Sequence, residues 1–99
     1  MTASPMKTII LNDILTKNNN IADAGASLYA LLKSTVDNKE TVVIDMEDAT
    51  SLPSIFLNVS FGRLIDEFGP GVIHDWVSFT KITKSQAERL RQYIHNYKA

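Results

Sequence analysis

Hydrophobic and polar positions along this chain follow two different repeats. KTIIL (7–11) is a short β-branched run that ends at the turn formers Asn12 and Asp13, and it predicts a first strand. Ile14 and Leu15 either extend that strand past a kink or begin a second short one, because so few residues carry no readable period. TKNNN (16–20) is a polar loop whose last residue, Asn20, is placed to cap a helix by accepting a first-turn N–H. Ile21, Ala24, Leu28, Leu31 and Leu32 then recur at helical spacing, which predicts a first helix with Gly25 marking close packing against a neighbour.

VDNKE (36–40) reads as a turn. TVVIDM (41–46) is nearly continuous in apolar residues, the pattern of a central strand buried on both faces. In SLPSIFLNVSFGRLIDEFG (51–69), Leu57, Phe61, Leu64, Ile65 and Phe68 form one apolar stripe, and Gly69-Pro70 ends the second helix. GVIHDWVSFTKI (71–82) alternates at Val77 and Phe79, so it reads as a strand. The closing segment is a third helix, with Thr83 or Ser85 as its cap and Ala87, Leu90, Ile94 and Tyr97 as its stripe. The order β-α-β-α-β-α predicts one α/β domain over residues 1–99 with a substantially parallel sheet, behind a polar leader (1–5) expected to be disordered.

Composition narrows the function. At 44% apolar and 21% charged residues, with a net charge of −1, the chain lacks the basic excess of a nucleic-acid binder. It has no cysteine, so thiolate metal sites and cysteine nucleophiles are excluded. No apolar run is long enough to span a bilayer and the N-terminus has no signal-peptide pattern, which makes a cytoplasmic location the expectation.

Few residues are arranged for chemistry. His74 and Asp75, taken as the start of a strand, would point to opposite faces and cannot form a base with its orienting carboxylate. His95 sits on the last helix beside Arg91, Asn96 and Lys98, where a cation complements the helix dipole. The same reading covers Lys84 and Arg89, while Tyr93 lies off the apolar stripe as partner surface. Asp45, Glu47 and Asp48 stand at the end of the central strand, where ligands approach open α/β sheets; they either hold a divalent cation or, since spacing places no further ligand, cap turns and face water. No catalytic residue and no cofactor motif stands out.

The start of the second helix carries the remaining signal. With Ser51 as cap, Pro53 and Ser54 are its second and third residues; with Leu52 preceding it, the helix begins at Pro53. In either register the Ser54 hydroxyl lies at the helix N-terminus, as a first-turn cap or as a phosphorylation site. A phosphate there would add about −1.5 to −2 charges without melting the helix. Ile55, Val59, Gly62 and Asp66 occupy a second helix face beside Arg63. Ile55 and Val59 on it read as an exposed docking patch, and replacing Val59 by Glu is expected to abolish binding without unfolding.

VVIDMEDATSLPSIFLNVSFGRL resembles the strand-loop-helix core of the STAS superfamily (sulphate transporter and anti-sigma-factor antagonist domains), and more closely its STAS-like branch of undefined function. The matching residues are Asp45, Ser54, Phe56, Leu57, Phe61 and Gly62. The resemblance implies a single STAS-like layer of about four strands, parallel or mixed, with helices packed on the sheet. It also implies a non-catalytic role in bacterial signalling, docking a protein partner through residues 49–63. In classical antagonists an Asp-Ser-Ser/Thr-Gly motif opens this helix, and its first Ser is phosphorylated by a histidine-kinase-like ATPase. Laid on this chain, that Ser falls on Ser54, with Pro53 and Phe56 where the motif has Asp and Gly. The partner surface so expected comprises Ser51, Ser54, Ile55, Val59, Gly62 and Arg63. A second reading is a small-ligand or nucleotide-binding domain using the strand-end acids and the N-terminus of the second helix. A third is a homodimer formed through the same helix surface.

Overall fold

A computed structural model describes residues 6–49 and 52–97. The leader 1–5 and Ser51 therefore lie outside the described residues, as does Lys98. Strand β1 (Met6–Ile10) runs directly into helix α1 (Leu11–Lys17), followed by α2 (Ile21–Asp37) and strand β2 (Thr41–Asp45). Helix α3 (Ser54–Leu57) continues through a π-helical segment (Asn58–Gly62) into α4 (Arg63–Phe68), so that 54–68 is one unbroken rod with helical backbone at both junctions. A short α5 (Val72–Trp76), strand β3 (Val77–Thr80) and α6 (Lys84–Asn96) complete the order.

The described residues form a three-stranded, all-parallel sheet in the order β1-β2-β3, with the apolar TVVID strand at its centre as expected. The expectation of about four strands is met by three among the described residues. Burial on both faces of β2 is not observed. Val42 and Ile44 are fully buried, whereas Val43 is half-buried and its register partners, Thr8 and Ser78, are exposed. The core lies on the other face, where Phe56, Leu57, Phe61 and Leu64 of the 54–68 rod meet Leu28 and Leu32 of α2, and the Phe61 ring packs edge-on to Phe79 of β3 with centroids 6.0 Å apart.

Two segments fold differently from their sequence reading. Asn12 and Asp13 do not turn the chain. They form the first turn of α1, where an acidic side chain complements the dipole and Thr16 Oγ1 donates to the Asn12 carbonyl at 2.9 Å. Leu11 and Ile14, one helical turn apart, are its buried residues. The segment 71–82 divides at Trp76: Val72, Ile73 and Trp76 are spaced for a helix, and only Val77–Thr80 pair with β2. His74 thus sits on a helix, not at a strand start, and its ring lies 3.4 Å from Asp75 in a largely solvent-exposed pair.

The predicted caps are present. Asn20 Oδ1 accepts the Asp23 N–H at 2.8 Å, and Thr83 and Gln86 exchange side-chain and backbone bonds in a capping box. Gly69 ends the 54–68 rod at φ 101°, a conformation that L side chains rarely adopt. No helix among the described residues is long and apolar enough to cross a membrane.

Candidate functional site

Parallel strands place all their C-terminal ends on one edge of the sheet, and the β2-to-α3 and β3-to-α6 connections meet there. Both connections turn sharply through left-handed residues, Asp48 (φ 65°) and Lys81 (φ 54°). Asp45 ends β2 half-buried, and its Oδ1 accepts the Glu47 N–H at 2.9 Å, so the carboxylate shapes its own turn. Lys81 Nζ lies 3.2 Å from Glu47 Oε1 and 3.9 Å from Asp45 Oδ2. The hydrogen bond to Glu47, then the charges of Glu47 and Asp45, raise the Lys81 ammonium above its ordinary range. Asp45 and Glu47 therefore gather around a protein cation, and no group of three or more His, Cys, Asp or Glu among the described residues could hold a metal ion.

From this corner a cleft of about 500 Å³ runs between α6 and the described part of the β2-to-α3 connection, residues 46–49 and Leu52. Asp48, Leu52 and Lys81 line it together with Thr83, Gln86 and Arg89. Helix α6 holds the loop at two points. Gln86 Nε2 donates to the Ala49 carbonyl, and the Arg89 guanidinium donates to the Leu52 carbonyl from both Nη2 (2.9 Å) and Nε (3.2 Å). The same Arg89 Nη2 donates to Ser54 Oγ at 3.1 Å.

Ser54 is the first helical residue, with Pro53 in the N-cap position and no side-chain cap bond. Both anticipated registers placed Pro53 inside the helix; instead the extended backbone of Pro53 (ψ 149°) precedes it. The Ser54 hydroxyl is exposed, and the described bond it makes is the one accepted from Arg89. The sequence reading of Arg89, a cation that complements the helix dipole, does not point to this contact. Its one available signal was its position on the same side of α6 as Gln86, three residues on from it; the target of the guanidinium is 35 residues away in sequence.

The expected docking face of the 54–68 rod is largely covered. Ile55 is 50% exposed and Arg63 is exposed, its guanidinium 4.3 Å from the centroid of the Tyr29 ring. Val59, however, packs onto Gly25 of α2, so it is half-buried and belongs to a helix crossing. Val59→Glu would disturb that crossing and no longer isolates a surface effect. Gly62 is buried on the opposite flank, where a Cβ would stand 2.6 Å from Tyr93 Oη and 3.0 Å from the Tyr97 ring. Tyr93, expected as partner surface, donates to Asn58 Oδ1 at 2.6 Å, and Tyr97 donates to Asp66 Oδ2 at 2.9 Å. Burial, then the neighbouring Tyr97 and Asp66, pushes the Tyr93 phenol up to about 12. The Tyr97 phenol is raised by desolvation and by its bond to Asp66. The rod is thus clasped by α2 on one side and α6 on the other, which leaves Ser54 and Ile55 exposed at its start and Arg63, Glu67 and Phe68 exposed toward its end.

A family model described as the STAS-like domain of unknown function DUF4325 matches residues 24–87, from the first turns of α2 to the first turn of α6. No curated protein and no solved structure matches the chain.

Proposed function

The chain belongs to the family of STAS-like domains of unknown function, and on that premise we propose that it is a non-catalytic regulatory module that docks a signalling protein. The docking surface is the exposed start of the 54–68 rod, at Ser54 and Ile55, together with the adjoining 46–52 loop. The observation that carries this reading is the Arg89 fork, which joins the loop, the exposed Ser54 hydroxyl and α6 through one guanidinium. A phosphate added to Ser54 Oγ would present three acceptor oxygens beside that guanidinium and compete with the neutral Leu52 carbonyl for it. Charge-assisted bonds are roughly twice as strong as neutral ones, so the phosphate wins and the 46–52 loop loses one of its two ties to α6. Modification at Ser54 then changes the loop and the helix start together, which is what a partner at this surface would sense. By family resemblance the modifying partner is an ATPase of the histidine-kinase-like fold.

The test is a pull-down from native extract with ATP and magnesium, using wild type, Ile55→Glu and Ser54→Asp, each first shown to melt normally. A partner retained by wild type and lost by Ile55→Glu supports the docking surface. Equal recovery by all three proteins refutes it.

The cleft favours a second reading, a small-ligand or nucleotide site between the strand-end acids and Arg89. A thermal-shift screen with nucleotides and divalent cations separates the two, because a ligand present at about 100 times its Kd stabilises the native state by roughly 2.7 kcal/mol.

A further inference from the structure

A second surface, away from Ser54, has the chemistry of a peptide groove. Among the described residues β3 is the last strand on its side of the sheet, and the space between it and α6 is an open trough of about 480 Å³. Its floor is apolar, built from Ile73 of α5, Val77 and Phe79 of β3 and Ile94 of α6, and Arg91 and His95 stand along its α6 rim. A neighbouring hollow under α6 shares Phe79, Arg91 and Ile94, so the trough extends along the helix. Among the described residues no carboxylate lines either hollow, in a chain whose acidic residues outnumber its basic ones by 11 to 10. Arg91 makes no ion pair or side-chain hydrogen bond among the described residues, and the nearest acid in sequence to the His74 end, Asp75, is turned to His74.

We propose that this trough binds an acidic, apolar segment of a partner protein. An apolar floor favours large aliphatic or aromatic side chains, and the unpaired Arg91 guanidinium supplies a fork for one carboxylate. The hollow continues under α6 through the shared Phe79, Arg91 and Ile94, a course along the helix that suits a peptide segment. Beside the trough, β3 is a terminal strand of the sheet, a position from which an extended segment can add to the ladder while its alternate side chains enter the groove. This surface is independent of the Ser54 reading, since its lining residues do not include Ser54, Ile55 or Arg89.

The experiment selects a random-peptide phage library on the immobilised full chain, then measures the winning synthetic peptide by titration with amide NMR mapping. Peptides enriched in Asp or Glu next to Leu, Ile or Phe, with shifts centred on Val77–Thr80 and Arg91–His95, are expected. Arg91→Glu, an exposed substitution checked for an unchanged melting curve, is expected to weaken that peptide about tenfold or more, and added salt should weaken wild-type binding. Selection of basic or purely polar peptides, failure to enrich any sequence, or shifts mapping elsewhere would overturn the proposal. So would light scattering that shows a dimer broken by Arg91→Glu, because a second copy would then fill the trough.

Discussion

Replacing Gly25 by alanine tests how the two long helical elements cross. In an open helix interior the change stabilises by about 1 kcal/mol, because alanine has the higher helix propensity. Here the added Cβ would lie 2.9 Å from the Phe56 carbonyl oxygen and press on Val59 Cγ2. Neither neighbour retreats easily. The carbonyl is main chain and is held by Ser60 Oγ at 2.7 Å, and Val59 is β-branched on a helix, with essentially one χ1 rotamer. Overpacking of this kind costs about 1–3 kcal/mol, and with backbone on one side the upper half of that range applies. The net effect is a loss of about 1–2 kcal/mol, which in a domain of this length lowers Tm by about 5–15 °C. Urea unfolding followed by far-UV circular dichroism should show the loss as a lower midpoint with an unchanged slope. Adding Val59→Ala to Gly25→Ala should recover part of the loss, a coupling of at least about 0.5 kcal/mol between touching residues. A Gly25→Ala protein as stable as wild type, or more so, would refute the close crossing.

Ser60 is fully buried and its hydroxyl donates to the Phe56 carbonyl at the π-helical segment, so Ser60→Ala should cost about 1–2 kcal/mol in the same urea assay, with the lost buried hydrogen bond as the cause. Gly69→Ala meets no steric obstacle, yet it should lose about 1–3 kcal/mol because the φ of 101° strains any L side chain; a neutral result by thermal melting would contradict that geometry. The tyrosine clasp predicts an alkaline limit. Tyr93 and Tyr97 hold their protons more tightly folded than unfolded, so their contribution is complete below about pH 10 and is lost as pH rises toward 12. Stability measured across that window should fall, and the fall should be smaller in Tyr93→Phe.

Sequence alone determined what is settled within a few residues along the chain. Asn20 and Thr83 cap their helices because the N–H groups they bond lie three residues on, and Gly69 stops the 54–68 rod through its own backbone angle. The central place of TVVID follows from its apolar density, and the close approach at Gly25 from the one missing side chain in an otherwise regular helix. Tertiary structure decided the rest. A π-helical segment within 54–68 changes the turn from 3.6 residues, so the regular stripe did not mark Phe56, which is fully buried, or place Phe68, which is 37% exposed with Lys33 Nζ 5.5 Å from its ring centroid. The face expected to be free was covered by helices from both sides, because the packing of α2 and α6 against the rod is a long-range property that no local period encodes. The same holds for the Arg89 fork. Thirty-five residues separate its guanidinium from Ser54, and only the parallel sheet, by bringing the C-terminal ends of β2 and β3 to one edge, makes them neighbours.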